Sequence, residues 1–262
     1  MRLLYLVFTY AFLFITITQL VVGSNVGDAC SGNAALCNTP GHYCSVGNSC
    51  QLVPIGEYSN TNGMSINCGT GYTTVNPGEG AGANAQVACK CNTGYGRSSN
   101  ASPCAQCVSG MFKSTVGDIV CTNVSPGKFA ADSGSNQVSI GATQEVNCPS
   151  GYWSAGSVAQ CTQSVAGYYT ANAGGSASNS GATQTLACGS GTYSSSAGST
   201  ECIPAQAGKC SANANNLCTV IGGIKEESCG AGYWSSNQSG VCTSCGTGYT
   251  TVNPGEGAGA NA

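Results

Sequence analysis

Cysteine is the residue type with the most chemical potential in this chain, which has 19 cysteines among its 262 residues. Cysteines can form disulfides, bind zinc or act as redox thiols, and their spacing helps to choose among these. Most of them belong to one recurring motif, Cys-x-x-Gly, which is usually followed by an aromatic residue and later by a second cysteine. Copies of this motif begin at Cys91, Cys107, Cys148, Cys188 and Cys229.

The N-terminal segment indicates the compartment in which these cysteines fold. Residues 1–23 are typical of a secretory signal peptide, with Arg2 at the start, an apolar stretch, and the small residues Val21 and Gly23 before the cleavage point. The alternative is a transmembrane anchor, because the apolar stretch is nearly long enough to span a bilayer. The many cysteines favour the signal peptide, since disulfides persist in oxidising compartments. We expect a secreted protein or one on the extracellular face of the plasma membrane.

Composition limits both the fold and the partners. Only 6% of residues are charged and the net charge is −3, so no basic stripe exists to bind nucleic acid. Glycine is abundant, at 39 residues, and Leu, Ile and Phe are scarce after the signal peptide, so one large core cannot form. We therefore predict small disulfide-rich repeats, arranged as an elongated rod of short β-hairpins and turns, with little helix apart from the signal peptide.

Repeats occur at two lengths. Segments of about 40 residues beginning at Cys121 and Cys161 align with each other, and both carry Gly-Ala-Thr-Gln before the next cysteine. A longer period is indicated by Cys68–Ala85, which recurs unchanged at Cys245–Ala262. We expect the chain to continue beyond this second copy; the alternative is a natural end in a short Gly/Ala tail. The predicted domains are a signal peptide (1–23), an N-terminal Cys-rich module (24–67), Cys-rich repeats (68–121), two 40-residue repeats (122–202), a Cys-rich module with a repeat (203–244) and the truncated copy (245–262).

The degenerate copies of the motif suggest how the cysteines pair. Complete copies meet at Cys-x-x-Cys junctions, whereas the junctions after Cys121 and Cys161 have Val124 and Ser164 in place of the second cysteine. The closing cysteine expected further along is missing as well, which indicates that the two cysteines were lost as a bonded pair. Cys30, Cys37, Cys44 and Cys50 should pair among themselves, in an order that the sequence leaves open. The predicted disulfides are Cys68–Cys89, Cys91–Cys104, Cys107–Cys121, Cys148–Cys161, Cys188–Cys202, Cys210–Cys218 and Cys229–Cys242.

Residues for catalysis or metal binding are scarce. His42 is the only histidine, which excludes the common zinc-hydrolase patterns and leaves little room for a His-based triad. A Cys-x-x-Cys junction would suggest zinc or thiol redox chemistry in a cytosolic protein, but here it lies in a secreted repeat. We expect no catalytic residue, metal or cofactor. Three Asn-x-Ser triplets are candidate glycosylation sites, at Asn100, Asn123 and Asn237.

The motif Cys-Pro-Ser-Gly-Tyr-Trp-Ser at Cys148, with its copies at Cys188 and Cys229, resembles the cysteine-rich repeats of ephrin-receptor-like and growth-factor-receptor-like ectodomains. The low charge, the Ala/Gly/Ser/Thr/Asn spacers and the tandem near-identical units resemble ciliate surface antigens, the immobilisation antigens. That resemblance implies a cysteine-periodic coat protein held on the membrane by a glycolipid anchor. The C-terminal apolar tail that such an anchor requires is not in this sequence, so anchoring would depend on a missing C-terminus.

We therefore expect a non-catalytic coat protein, with two alternatives from other classes. One is an extracellular receptor or adhesion module, whose aromatic residues contact a protein or a glycan. The other is a structural protein of an extracellular matrix or filament, which would self-associate. The aromatic residues after the motif glycines (Tyr152, Trp153, Tyr193, Tyr233 and Trp234) are expected to cover the neighbouring disulfides.

Overall fold

A computed structural model describes residues 27–30, 37, 42–60, 62–78, 85–99 and 102–251. The predicted signal peptide, the acceptor Asn100 and most of the second Cys68–Ala85 copy lie outside the described residues. Antiparallel two-stranded hairpins dominate the described chain, and their strands are two to four residues long. The one helical element there is a 3₁₀ turn at Ala85–Ala88. The predicted fold class, small disulfide-rich repeats of short hairpins with little helix, is confirmed.

The chain divides into two compact units, of which the first comprises residues 1–105 and 115–119. Its cysteines 30, 37, 44 and 50 are bonded as Cys30–Cys44 and Cys37–Cys50, which settles the order that the sequence left open. In this unit β1 pairs with β2, β3 with β4 and β5 with β6. The strands are β1 (His42–Cys44), β2 (Cys50–Leu52), β3 (Glu57–Ser59), β4 (Ser65–Asn67), β5 (Tyr72–Thr73), β6 (Lys90–Cys91) and β7 (Tyr95–Gly96), and β8 (Ala105–Gln106) follows at the boundary.

The second unit comprises residues 106–114 and 120–262, and two kinds of hairpin alternate along it. Short hairpins with two-residue strands are each closed by a disulfide, and long hairpins with four-residue strands lie between them. The short hairpins are β9 (Met111–Phe112) with β10 (Thr122–Asn123), β13 (Tyr152–Trp153) with β14 (Thr162–Gln163), β17 (Thr192–Tyr193) with β18 (Ile203–Pro204), and β21 (Tyr233–Trp234) with β22 (Thr243–Ser244). The long hairpins are β11 (Lys128–Ala131) with β12 (Gln144–Asn147), β15 (Tyr168–Ala171) with β16 (Gln184–Ala187), and β19 (Lys209–Ala212) with β20 (Lys225–Ser228).

One short and one long hairpin together form the repeating unit. Three consecutive units begin at Cys107, Cys148 and Cys188, so the third copy includes residues 205–228, whose similarity to the first two is hard to detect in the sequence. The buried residues are mainly cysteines and small residues, as expected for a chain that lacks a large apolar core. Phe129, for example, packs with Ala131 and the Cys148–Cys161 disulfide.

Candidate functional site

The most regular site in the molecule is the first residue of each motif, which joins one hairpin to its neighbours. The N–H of Cys148 donates to Gly127 O in the preceding hairpin at 2.8 Å, and Cys148 O accepts from Gly181 N–H in the following hairpin at 2.9 Å. The same pair of bonds recurs at Cys188, whose N–H donates to Gly167 O at 2.8 Å and whose O accepts from Gly222 N–H at 2.7 Å. The loop residues that donate to the motif carbonyls all have positive φ, namely Gly141, Ser157, Gly181, Gly198, Gly222 and Gln238.

The motif glycine is required for two physical reasons. Gly151 has a φ of 79°, which L side chains rarely adopt. It also lies against a loop two hairpins further along, because a Cβ at this position would be only 2.2 Å from Gly198 O. A Cβ at Gly110 would likewise lie 2.1 Å from Ser157 O, and a Cβ at Gly191 would lie 1.9 Å from Gln238 O. The short hairpins that begin at Cys107, Cys148 and Cys188 therefore each contact the short hairpin that lies beyond the next long hairpin.

Residues that replace the first cysteine of the motif keep its position. Val124, Ser164 and Ala205 are at most 2% exposed, and their N–H groups donate to Gly110, Gly151 and Gly191 O at 2.8 to 2.9 Å. A cysteine is therefore not needed for the hairpin connection itself. In the first unit Val53 is fully buried and begins Val-Pro-Ile-Gly56, with Gly56 at a φ of 88°. Sequence comparison based on cysteines misses this copy.

The predicted cysteine partners are the ones that the structure joins. The bonds are Cys68–Cys89, Cys91–Cys104, Cys107–Cys121, Cys148–Cys161, Cys188–Cys202, Cys210–Cys218 and Cys229–Cys242, and Cys245 has a free thiol.

One long hairpin contains a disulfide of its own, and its position corrects the expectation that cysteines of the motif are lost as bonded pairs. In the third copy of the repeat, Cys218 lies opposite Ala212. In the first copy, Gln137 lies opposite Ala131 in the same way. Cys218 is bonded to Cys210, which lies in strand β19. The first position of the motif is residue 205, which is an alanine and takes no part in a disulfide. The disulfide of a long hairpin therefore lies inside the hairpin, unlike that of a short hairpin.

An ion pair stabilises two of the long hairpins. Glu145 bonds with Lys128 and also accepts from Ser125 N–H at 2.8 Å. Burial raises the pKa of the Glu145 carboxyl, but the hydrogen bonds from Lys128 and Ser125 outweigh this effect and hold the pKa below its usual value. Glu226 and Lys209 form the corresponding pair in the third copy, where the pKa of Glu226 is lowered against the same opposing effect of burial.

Two of the three candidate glycosylation acceptors lie at the surface. Asn123 in β10 and Asn237 in the last short hairpin loop are both exposed, so both acceptor side chains are accessible. Tyr152 packs against the cluster that holds the Cys148–Cys161 disulfide, as expected for an aromatic that covers a disulfide. Tyr168, Tyr233 and Tyr249 are more exposed, at 39%, 47% and 78%.

An open cleft of about 600 Å³ lies in the first unit. Asp118 holds two cations there, with Lys90 Nζ at 3.1 Å from Asp118 Oδ2 and Arg97 in contact with the same oxygen. Asp118 Oδ1 also accepts from Cys91 N–H at 3.1 Å. Burial raises the pKa of the Asp118 carboxyl, but the Cys91 N–H, Lys90 and Arg97 together bring the pKa below its usual value. The lining residues are Cys68, Tyr72, Val87, Cys89, Lys90, Arg97 and Asp118.

Comparison with known proteins identifies no family for this chain. No protein-family model matches the chain, and no curated protein matches it. Among the described residues, none forms a helix with the length and apolar character needed to cross a bilayer. The density of disulfides defines an extracellular disulfide-rich protein, because such bonds persist in oxidising surroundings.

Proposed function

We propose that this chain is a non-catalytic coat protein of the cell surface, of the type represented by ciliate immobilisation antigens. The observation that carries the proposal is the stack of hairpins in the second unit, in which every short hairpin is closed by a disulfide and the short hairpins that begin at Cys107, Cys148 and Cys188 each contact the short hairpin beyond the next long one. Proteases need an exposed segment that can open locally. A hairpin closed by a disulfide and held by two neighbours opens at a high cost, which suits a protective layer.

The surface of the protein is compatible with this role. The chain has few charges, and two of the five ion pairs among the described residues, Lys128–Glu145 and Lys209–Glu226, join the two strands of one hairpin. Exposed Asn123 and Asn237 would add glycans that shield the backbone further. In this proposal a glycolipid anchor, attached through a C-terminal segment beyond this sequence, holds the protein on the plasma membrane.

Labelling of intact cells tests the proposal. An antibody to the second unit should stain unpermeabilised cells, and a phospholipase that cleaves glycolipid anchors should release the protein with its disulfides intact. Staining that resists the phospholipase would refute the anchor, and staining seen only after permeabilisation would refute the coat.

An extracellular receptor or adhesion module is the second candidate. It is favoured by the exposed aromatic residues Tyr168, Tyr233 and Tyr249, since such residues are common at protein and glycan contacts. A structural protein of a matrix or filament is the third candidate, and it would self-associate through repeated units. Sedimentation of the purified protein over a concentration series distinguishes the receptor from the filament protein. Only the filament protein should increase in molecular mass with concentration when no partner is present.

A further inference from the structure

Two disulfides of the second unit lie side by side. Cys218 Sγ, in the Cys210–Cys218 bond, is 3.7 Å from Cys242 Sγ, in the Cys229–Cys242 bond. The sulfurs of Cys210, Cys218 and Cys242 all lie within 4.8 Å of one another. A thiolate at Cys218 would have to approach Cys242 by only about 1.7 Å to reach the length of a disulfide bond, which is about 2.0 Å. The two bonds are therefore positioned for thiol–disulfide exchange with each other.

One side of this pair of disulfides is open to solvent. Cys218 is exposed and Cys242 is partly exposed, whereas their partners Cys210 and Cys229 are fully buried. Thiol–disulfide exchange depends on which sulfur an attacking thiolate can reach. An external thiolate can reach Cys218, and the thiolate that leaves is then Cys210.

The long hairpin that contains the Cys210–Cys218 bond does not need it in order to form. In the first two copies of the repeat, Phe129 and Tyr169 occupy the position of Cys210. Both copies nevertheless keep the four-residue strand pairing and an antiparallel bridge at the position of Cys218. Cleavage of the bond should therefore leave the backbone in place, so that the Cys218 thiol stays beside Cys242.

We propose that Cys210–Cys218 is a thiol-exchange site, which is reduced by an external dithiol and passes the exchange on to Cys229–Cys242. One thiolate of the dithiol attacks Cys218 Sγ, and Cys210 leaves as a thiolate. The second thiol of the dithiol then attacks the dithiol's own sulfur in this mixed disulfide, which releases the Cys218 thiolate and oxidises the dithiol to a disulfide. Cys218 Sγ next attacks Cys242 Sγ, so that the Cys218–Cys242 bond forms and Cys229 leaves as a thiolate. The dithiol supplies the two electrons, Cys210 and Cys229 take up protons and end as thiols, and the site does not depend on the proposed coat function.

Limited reduction of the secreted protein tests the proposal. The free thiol of Cys245 is alkylated first, so that it takes no part in the exchange. The protein is then treated with an equimolar amount of dithiothreitol and quenched with acid, because the thiolate is the nucleophile. Alkylation and peptide mass spectrometry should find Cys218 linked to Cys242, with new alkylation of Cys210 and Cys229. Alkylation of Cys210 and Cys218 with the Cys229–Cys242 bond intact at every time point would overturn the exchange.

The Cys188–Cys202 bond is the matched control within the same molecule. It closes a short hairpin, and it joins a buried to a partly exposed cysteine, as Cys229–Cys242 does. In the described part of the chain, no third cysteine sulfur lies within 4.8 Å of both its sulfurs. The Cys229–Cys242 bond should therefore open at least about tenfold faster than Cys188–Cys202, because an internal thiolate attacks it. Equal rates of opening would overturn the proposal.

Two variants test the second step without any reductant. Cys210→Ser leaves Cys218 as a free thiol beside Cys242, so the secreted variant should contain Cys218–Cys242 as well as Cys229–Cys242. Cys218→Ser removes the same bond but leaves the thiol at buried Cys210, so Cys229–Cys242 should remain intact. A Cys210→Ser protein that contains Cys229–Cys242 alone would overturn the exchange, and equal exchange in both variants would overturn the role of Cys218. If the variants are not secreted, the limited reduction of the native protein decides the question.

Discussion

Replacement of Gly151 by alanine tests the stacking of hairpins most sharply, because two separable costs meet at this residue. The first is conformational: a φ of 79° costs a residue with a Cβ about 1–2 kcal/mol. The second is steric: the new methyl would lie 2.2 Å from Gly198 O, so the loop that contains Gly198 must move. That movement strains the bond from Gly198 N–H to Ser164 O, which contributes about 1 kcal/mol.

Two other glycines separate these costs. Gly222 has a φ of 67° but nothing within 4 Å of its Cβ position, so Gly222→Ala carries the conformational cost alone. Gly189 has neither a positive φ nor a close neighbour, so Gly189→Ala should be neutral or stabilising by up to about 1 kcal/mol. Gly151→Ala should therefore lower the free energy of unfolding by about 2–3 kcal/mol, and Gly222→Ala by about 1–2 kcal/mol.

Denaturant unfolding with intact disulfides gives the three free energies, and amide hydrogen exchange shows where the loss occurs. In Gly151→Ala the Gly198 amide should lose protection, although it lies 47 positions further along the chain (198 − 151). If Gly151→Ala and Gly222→Ala destabilise equally and the Gly198 amide keeps its protection, the contact between alternate hairpins does not exist.

Three further predictions concern a disulfide, an ion pair and glycans. Replacing both members of Cys210–Cys218 by serine should cost about 2.5 kcal/mol by the chain-entropy estimate, without preventing folding, because the other two long hairpins have no disulfide; denaturant unfolding checks this. Because the pKa of Glu145 is lowered by folding, its stabilising effect is complete above about pH 4.3 and is lost as pH falls through the folded pKa. Glu145→Gln should therefore be less stable than the native protein in thermal melts at neutral pH but equal to it at about pH 2–3. The control, Glu227→Gln, should differ less from the native protein at neutral pH. A difference in stability between Glu145→Gln and the native protein that stays the same at low pH would contradict the mechanism. On secreted protein, Asn123→Gln and Asn237→Gln should each remove one glycan from the intact mass, and an unchanged mass would mean that the site is unused.

The disulfides of the short hairpins could be predicted from the sequence, although the argument from paired loss does not hold in the third copy, where Ala205 replaces the first cysteine and Cys218 is kept and bonds to Cys210. The missing cysteines at Val124 and Ser164 indicated bonding within each copy, and the structure has bonds within copies. The order among the first four cysteines could not be predicted in this way, because four cysteines allow three connectivities and this module has no second complete copy. In the structure Cys44 and Cys50 lie opposite each other in the β1–β2 hairpin, yet they bond to Cys30 and Cys37 and not to each other.

Two features of the site could not be predicted because they depend on the stacking of hairpins. The sequence indicates that the motif glycine allows a positive φ, but its contact with a carbonyl two hairpins away requires knowledge of how the hairpins pack. Lys90, Arg97 and Asp118 are likewise unremarkable in the sequence, where charges are sparse and scattered. They meet because the loop carrying Asp118 is held against Cys91 by backbone and side-chain hydrogen bonds.

Disulfide mapping of the secreted protein tests the central claim most directly, that each short hairpin is an independently closed unit of the repeat. Non-reducing digestion and mass spectrometry should find the pairs Cys107–Cys121, Cys148–Cys161, Cys188–Cys202 and Cys229–Cys242, each as a linked peptide pair. A bond across a junction, such as Cys104 to Cys107 or Cys91 to Cys107, would contradict the account.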